Sequence, residues 1–364
     1  MRLDTIEAVN FKNIAEATLE LSPGVNCFVG RNGMGKSNLL EAVHFLSLAR
    51  PMQSMPESGL IRHGQEMLMV KGGYMMDSGV EEVVSVGIAR DKGKRVLRNG
   101  KEYNRISEHI GRFPIVAATP ADQALVTGSG EVRRKLMDVV ISQTNGAYLS
   151  QLIRYNRSLE SRNRMLRAGV RDRLLFESVE QGLADSAAQI FAARREWTES
   201  IRPMFQRHYS AVSGDAERVS LGYSSVLADD SMTEILNRTR PKDHVLGYTS
   251  QGVHRDDLRM ELGSHSLRRV GSQGQVKSYV IALRLAIFDF LRQRTGITPI
   301  LLLDDIFDKL DSDRVSHIMQ SVSGDSFGQI FITDTNREHL DETIASLQGE
   351  SKLFSVADGR FEIV

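Results

Sequence analysis

The sequence has little cysteine, tryptophan and proline, and it has no excess of charge of either sign. Its 364 residues include a single cysteine, Cys27, which excludes an internal disulfide framework and a cysteine-rich metal site. The 46 basic and 46 acidic residues cancel, so any argument for a nucleic-acid partner must be local. We find no run of about 18 apolar residues that could span a membrane, and Met1–Glu7 contains no apolar signal core. We therefore expect a cytoplasmic protein of two or three domains, with no membrane association.

The clearest pattern in the chain is Gly30–Ser37, which reads Gly-Arg-Asn-Gly-Met-Gly-Lys-Ser. It fits the phosphate-loop spacing Gly-x-x-x-x-Gly-Lys-Ser/Thr, follows the strand-like run Val25–Val29 and precedes a run of helical apolar spacing. Glycines let such a loop bring backbone N–H groups against phosphate oxygens, and the following helix adds its positive end. Lys36 can then reach the β- and γ-phosphates of ATP, and the Ser37 hydroxyl can ligate Mg²⁺. The predicted nucleotide-binding residues are Gly30, Arg31, Asn32, Gly33, Met34, Gly35, Lys36, Ser37 and Asn38.

Two carboxylates follow an apolar run within Pro299–Ile306, which reads Pro-Ile-Leu-Leu-Leu-Asp-Asp-Ile. Such a run is typical of a central parallel strand, and α/β proteins bind ligands at the carboxyl ends of these strands. We expect Asp304 to hold Mg²⁺ through water, and Asp305 to face the attacking water as the catalytic carboxylate alongside Lys36. Taken alone, the pair also fits a strand end with two solvated aspartates.

A third candidate element is Ser272-Gln273-Gly274-Gln275, which leads into a strongly apolar helical run. A serine and glycine at a helix start offer N–H groups, a hydroxyl and a positive helix end, so the segment fits a second phosphate-binding element. An ordinary helix N-cap explains the same residues and, by itself, is the stronger interpretation.

The pattern along the chain predicts an interrupted α/β layout. Strand-like alternation dominates residues 2–118, apart from a helix-like stretch at Ile106–Gly111. Polar helical spacing dominates residues 130–207, residues 218–262 again look strand-like, and helix alternates with strand from residue 270. The segments Tyr148–Ala168 and Leu174–Tyr209 are expected to form an antiparallel helical hairpin. We therefore predict a split α/β domain formed by residues 1–120 and 218–364, interrupted by a helical arm at residues 121–217.

Two stretches are locally basic although the total charge is zero. Residues 90–105 and residues 154–173 each contain seven basic and two acidic side chains. Phosphate neutralisation needs such clusters, so both stretches are candidate DNA contacts, while solvated hairpin and helix faces explain either one equally well. His254 fits a functional or a structural role. The predicted DNA-binding residues are Arg90, Lys92, Lys94, Arg95, Arg154, Arg157, Arg162 and Arg164.

The three elements in this order resemble the head domains of ABC-type ATPases, particularly the SMC/Rad50 branch. The resemblance narrows to the RecF family of bacterial recombination mediators and covers essentially the whole chain. It is carried by Asn10–Asn13, Gly30–Ala42, Arg133-Arg134 with Asp138, Gly252–Leu258 and Ser272–Gln275.

The resemblance implies an ABC-type head, a mixed sheet with an antiparallel N-terminal part, and an inserted helical arm. It implies a homodimer with two ATP molecules between the heads, in which Ser272, Gln273, Gly274 and Gln275 contact the nucleotide of the other subunit. Asp311 then fits the D-loop aspartate and Thr333 the sensor. The implied partners are single-strand/double-strand DNA junctions or gaps, RecR and possibly RecO, and the implied role is to help load RecA in recombinational repair, replication restart and the SOS response.

Two positions depart from the pattern of this family: Lys309 replaces an acidic residue, and Lys277 stands where arginine is usual. Asp305 occupies the place where transporter ATPases carry glutamate. Because the Asp305 side chain is one methylene shorter, we expect a weak DNA-dependent ATPase in which ATP acts as a switch. The alternatives are a transporter-type ABC subunit, disfavoured by the long separation between Lys36 and Ser272, and an SMC-like structural tether.

Overall fold

The computed structural model describes residues 1–53, 55–214, 217–306, 327–337 and 350–364. The chain divides into two compact units. The first contains Met1–Asp122, Arg207–Ala216 and Lys277–Val364, and the second contains Gln123–Gln206 and Glu217–Val276. Within the described ranges, no helix is both long enough and apolar enough to cross a membrane.

The described residues form fifteen β-strands and eight α-helices. In order they are β1 (Arg2–Phe11), β2 (Ile14–Glu20), β3 (Val25–Val29), α1 (Lys36–Leu48), β4 (Met67–Met75), β5 (Glu81–Ala89), β6 (Gly93–Arg98), β7 (Lys101–Glu102), β8 (Ile115–Ala118), α2 (Ala124–Thr127), α3 (Gly130–Thr144), α4 (Gly146–Arg167), α5 (Arg173–Ser213), β9 (Val219–Ser224), α6 (Met232–Leu246), β10 (Asp257–Leu262), β11 (His265–Ser266), α7 (Leu267–Val270), α8 (Gln273–Thr295), β12 (Ile300–Asp304), β13 (Ile330–Asp334), β14 (Ser351–Ala357) and β15 (Arg360–Ile363).

The first unit contains an antiparallel sheet with strand order β2-β1-β4-β5-β6-β7. Its strands alternate buried and exposed residues, as in β5, where every second side chain from Glu82 to Ile88 is buried. That period of two lets one face pack on the core while the other faces solvent. The N-terminal part is therefore antiparallel, as the resemblance implied.

A second sheet of the first unit has the order β15-β14-β3-β13-β12-β8. The pairs from β14 to β8 are parallel, and β15 is antiparallel to β14. All residues of β8, β12 and β13 are buried, which explains their apolar sequences up to the polar residues that end β12 and β13. Because these strands are parallel, the loop after β3 and the residues that end β12 and β13 lie along one edge of the sheet.

The second unit combines the helical hairpin α4–α5 with a small sheet of order β11-β10-β9. Both helices of the hairpin begin and end within a few residues of the predicted bounds. Tyr155 in α4 and Trp197 in α5 are buried, at 1 % and 2 % exposure, so each helix has an apolar side.

Three expectations need correction. Residues 218–262 are not continuously strand-like, because α6 begins at a capping box in which Ser231 and Glu234 satisfy each other's backbone N–H groups, and it continues through Pro241. The expected helix at residues 106–111 is reduced to one 3₁₀ turn, Ile106–Glu108. Residues 217–276 group with the helical arm rather than with the C-terminal part, because β9 and β10 pair with each other and α3 packs on β10.

Candidate nucleotide-binding site

The loop between β3 and α1 has the backbone shape that binds an anion. Gly33 and Gly35 have positive φ values, +81° and +117°, which non-glycine residues rarely adopt. No described atom lies within 4 Å of a Cβ placed on Gly33, so the loop surface is open there. Among the described residues, no side chain caps the start of α1, whose first turn also lacks acidic residues. The first N–H groups of α1 and its positive end are therefore available to phosphate oxygens.

Lys36 folds back over this loop. Its side-chain Nζ donates to the carbonyl oxygens of Gly30 at 2.5 Å and Arg31 at 3.0 Å, and the residue is only 6 % exposed. Burial lowers the pKa of Lys36, and the carboxylates of Asp305, Asp304 and Asp334 oppose that shift. The ammonium is therefore held at the loop by backbone carbonyls and nearby carboxylates, close to where phosphates bind in this motif.

Two hydroxyl groups and one carboxylate converge at the strand ends. Ser37 Oγ and Thr333 Oγ1 each donate to Asp304 Oδ1 at 2.7 Å. Asp304 is 8 % exposed and Thr333 is fully buried, so these groups are fixed by the sheet. A serine hydroxyl and a carboxylate oxygen are hard oxygen donors of the kind that Mg²⁺ prefers, and their convergence fits a magnesium ion beside the loop.

Asp305 leaves the strand β12 with an unusual backbone. Its φ is +48°, in the left-handed region that non-glycine residues rarely occupy. Its N–H donates to Thr333 Oγ1 at 3.0 Å, so the Thr333 hydroxyl contacts both acidic residues. Thr333 thus sets the position of the Asp304 carboxylate and of the Asp305 backbone.

The segment Ser272–Gln275 forms a reciprocal cap at the start of α8. Gln275 N donates to Ser272 Oγ at 3.2 Å, and Ser272 N donates to Gln275 Oε1 at 2.8 Å. Ser272 and Gln273 are exposed, and Gln275 Nε2 also donates to Glu217 Oε1 at 2.8 Å. The serine therefore lies on the surface of the second unit and not in its interior. Asp311 and Lys309 lie outside the described residues.

Two of the predicted DNA-binding residues are used inside the protein. Arg162 is fully buried, and its guanidinium donates to Glu180, Asp243 and Thr249 at 2.8–2.9 Å. Lys94 donates to Ala49 O at 2.7 Å and to a Glu57 carboxylate. The complete burial of Arg162 contradicts its predicted DNA contact, whereas the Lys94 ammonium is half-buried and paired within the protein. The other six predicted side chains, Arg90, Lys92, Arg95, Arg154, Arg157 and Arg164, are exposed.

His254 has a structural environment. Its Nε2 lies 3.0 Å from Thr249 O, so Nε2 carries the proton and Nδ1 accepts from Tyr155 OH at 2.6 Å. Burial lowers the pKa of His254 to about 4, mainly by desolvation. The imidazole therefore stays neutral and connects α4 to the segment before β10.

A buried arginine that no sequence pattern singles out organises the same segment. Arg194 of α5 donates to Asp138 Oδ1 and Asp256 Oδ2, both at 2.9 Å, and to Val253 O at 2.7 Å. Nothing in the helical pattern separates Arg194 from Arg195, which follows it and is more exposed. Only the packing of α5 on the Gly252–Asp257 segment distinguishes the two.

The fold and this site define a class of protein, the head of an ABC-type ATPase related to the SMC branch. The family model described as the RecF/RecN/SMC N terminal domain matches residues 2–356. The chain is 47 % identical over 361 residues to the DNA replication and repair protein RecF of Phocaeicola vulgatus, covering 99 % of this chain and 97 % of that protein. RecF of Porphyromonas gingivalis strain W83 is also 47 % identical over 361 residues, covering 99 % of both chains. The chain belongs to the RecF family.

Solved structures agree with this assignment. The chain matches the recombination mediator protein RecF-ATP in the RecFOR pathway with a TM-score of 0.89 and 27 % identity, over 100 % of this chain and 97 % of that one. An Smc head bound to the C-winged helix domain of ScpA has a TM-score of 0.59 and 18 % identity, over 100 % of this chain and 97 % of that one. At that identity the second likeness concerns the fold alone. The expected fold class and family are confirmed.

Proposed function

We propose that this chain is an ATP-dependent DNA-binding switch of replication and repair. The observation that carries the proposal is the convergence of the Ser37 and Thr333 hydroxyls on the Asp304 carboxylate beside the open phosphate loop. RecF-ATP, a structural relative over the full length, supports ATP as the nucleotide. Gly30–Asn38 would hold the phosphates, and Ser37 with Asp304 would hold Mg²⁺, which neutralises phosphate charge when bound.

Hydrolysis in this site would depend on Asp305. The residue follows the Mg²⁺ carboxylate directly, so it is the candidate to orient the attacking water, with Lys36 stabilising charge on the transferred phosphate. Its backbone is held at Thr333, and its side chain is one methylene shorter than the glutamate of transporter ATPases. We infer slow turnover, in which bound ATP mainly sets the association state.

The second half of the ATP site would come from a second copy of the chain. Ser272 and Gln273 are exposed at the start of a 23-residue helix, which provides a hydroxyl, free surface and a positive helix end. We propose that this cap contacts the phosphates held by the other subunit, with Asp311 at the same interface and Thr333 reporting the state of the metal site.

DNA contact is proposed for the exposed arginines Arg90, Arg95, Arg154, Arg157 and Arg164 and for Lys92. Arg95 pairs with Glu102, and Arg164 pairs with Glu160. Because these side chains are exposed, their ion pairs are weak, and the arginines can exchange the carboxylates for other anionic partners. The relatives are DNA replication and repair proteins, and the solved RecF-ATP belongs to the RecFOR pathway, which supports DNA junctions, RecR and RecO as partners. RecA loading would follow from that assembly.

Sedimentation velocity with and without ATP tests the proposal. The wild type should dimerise with ATP and Mg²⁺, and Ser272→Arg should stay monomeric while still binding nucleotide. Ser231→Arg is a matched control, because Ser231 is also exposed, also begins a helix and also forms a capping box with the residue three positions on. Both variants lose a cap, worth about 1 kcal/mol, but only Ser272→Arg should block the dimer.

The results separate the candidate functions. A Ser272→Arg variant that still dimerises on ATP would show that the cap has no contact with a second nucleotide. DNA binding by Lys36→Ala that equals the wild type with ATP present would instead favour a structural tether. Loss of both dimerisation and ATP-stimulated DNA binding in Lys36→Ala supports the switch.

A further inference from the structure

The outer surface of the phosphate loop is held by a turn near the C-terminus. Residues Asp358 and Gly359 join β14 to β15 and both have positive φ, +47° and +76°, as in a type I′ hairpin turn. Gly359 N donates to Met34 O at 2.8 Å. Met34 lies between the two glycines of the loop that themselves have positive φ, so this bond is made at the centre of the phosphate loop.

No side chain fits between this turn and its neighbours. A Cβ on Gly359 would lie 2.7 Å from Asn13 O, and a Cβ on Gly35 would lie 3.3 Å from Gly359 Cα. At the start of the phosphate loop, a Cβ on Gly30 would lie 2.3 Å from the carbonyl oxygen of Val356 in β14. The contacts to Asn13 O and Val356 O are both under 3.0 Å. Because both are backbone atoms, the backbone itself would have to move to make room for a side chain.

A second turn holds the loop from the other end of the chain. Asn13, in the turn between β1 and β2, donates through Nδ2 to Gly33 O at 3.3 Å and accepts through Oδ1 from Asn38 Nδ2 at 2.8 Å. Arg62 donates to Asn13 O at 2.9 Å and fixes the turn itself. We name Asn13 and Gly359 together the loop clasp.

We propose that the loop clasp is a positioning device for nucleotide binding, with the glycine at 359 required because its backbone must touch both Met34 and Asn13. This inference rests on the proposed nucleotide site. A loop that is pre-shaped binds phosphate without first losing conformational freedom, whereas a displaced loop must be reordered by the ligand. In catalysis, a misplacement of about 1 Å can lower the rate about 100-fold, which shows how much the position of one group can matter.

The experiment compares two glycines with the same backbone conformation. Gly79, in the turn between β4 and β5, has φ +78°, and no described atom lies within 4 Å of a Cβ placed there. Gly359→Ala and Gly79→Ala therefore introduce the same left-handed strain, but only the first creates a clash with the clasp. The measurements are the melting temperature and the Kd of mant-ATP with Mg²⁺.

We expect both alanine variants to melt a few degrees below the wild type. Gly359→Ala should bind mant-ATP at least about tenfold more weakly, and Gly79→Ala should bind within twofold of the wild type. Unchanged affinity in Gly359→Ala overturns the proposal. Equal losses of affinity in both variants overturn it too, because turn strain alone would then explain the effect.

A second pair separates strain from contact and covers the case in which Gly359→Ala fails to fold. Asparagine tolerates the left-handed region better than alanine, so Gly359→Asn relieves the strain but keeps the clash with Asn13 O. Weak binding by a cooperatively melting Gly359→Asn, with normal binding by Gly79→Asn, supports the clasp. If the wild type itself bound mant-ATP no better than Lys36→Ala, the proposed nucleotide site would be wrong and the clasp would have no ligand to serve.

Discussion

Replacing Arg162 by alanine should destabilise the second compact unit and should not act through DNA. The Arg162 guanidinium is fully buried, and it donates from Nε to Glu180 at 2.9 Å and from NH1 to Asp243 at 2.8 Å. Alanine would leave both buried carboxylates without this partner, a change that typically costs about 3–5 kcal/mol. Glu180 keeps Arg240, and Asp243 keeps the N–H of Ser250, so we expect the free energy of unfolding to fall by about 3 kcal/mol.

The single tryptophan provides the assay for this change. Trp197 is 2 % exposed and lies in the second unit, so its fluorescence in a urea titration reports the unfolding of that unit. Arg157→Ala is the control, because Arg157 lies on the same helix but is exposed, and its loss should change stability by no more than about 0.5 kcal/mol.

A loss below about 1 kcal/mol in Arg162→Ala would refute the reasoning, since the two carboxylates would then be relaxed by water or by other partners. Arg162→Met combined with Glu180→Gln and Asp243→Asn should recover part of the loss, because it removes the buried charges on both sides of the network. Failure of the triple variant to improve on Arg162→Ala would show that shape, rather than unpaired charge, explains the destabilisation.

Four further substitutions test other parts of the molecule. Ser37→Ala should weaken Mg²⁺-dependent ATP binding about tenfold or more, since one hydroxyl donor to the metal is lost, while mant-ATP binding without Mg²⁺ changes little; equal effects in both conditions would contradict the assignment. Because the pKa of His254 is lowered to about 4, the unfolded chain takes up more protons between pH 6.5 and 4. Stability should therefore fall with acidification by at most about 1.4 kcal/mol per pH unit from this group, and urea titrations of His254→Asn should show a shallower pH dependence. Arg157→Glu should weaken binding to a gapped DNA duplex and reduce the salt dependence, with an unchanged melting temperature, whereas Lys94→Ala should lower the melting temperature because its partners are internal.

The phosphate loop was predictable because its chemistry is contiguous. Gly30–Ser37 contains, within eight consecutive residues, the glycines that take positive φ, the lysine and the serine. The flanking runs predict the strand before the loop and the helix after it. The carboxylates at the end of β12 were predictable for a similar reason, since a fully apolar strand must be buried and must end at the binding edge of the sheet. Helix α6 was missed because Pro241 interrupts its pattern, although Ser231 and Glu234 already carried a capping signal.

What the linear sequence determined by itself, then, are the elements whose signals are local: the nucleotide loop, the acidic strand end, the alternating strands and the helical hairpin. Only the tertiary structure decided which basic side chains are exposed and which are buried. Arg157 and Arg162 are five positions apart on one helix, which turns their side chains about 140° from each other, and only the packing of α5 and α6 puts the second one inside. The contact of Gly359 with Met34 is equally invisible in the sequence, since 325 positions separate them and parallel pairing of β14 with β3 brings them together. Burial and long-range contacts depend on the whole chain at once, and no local pattern encodes them.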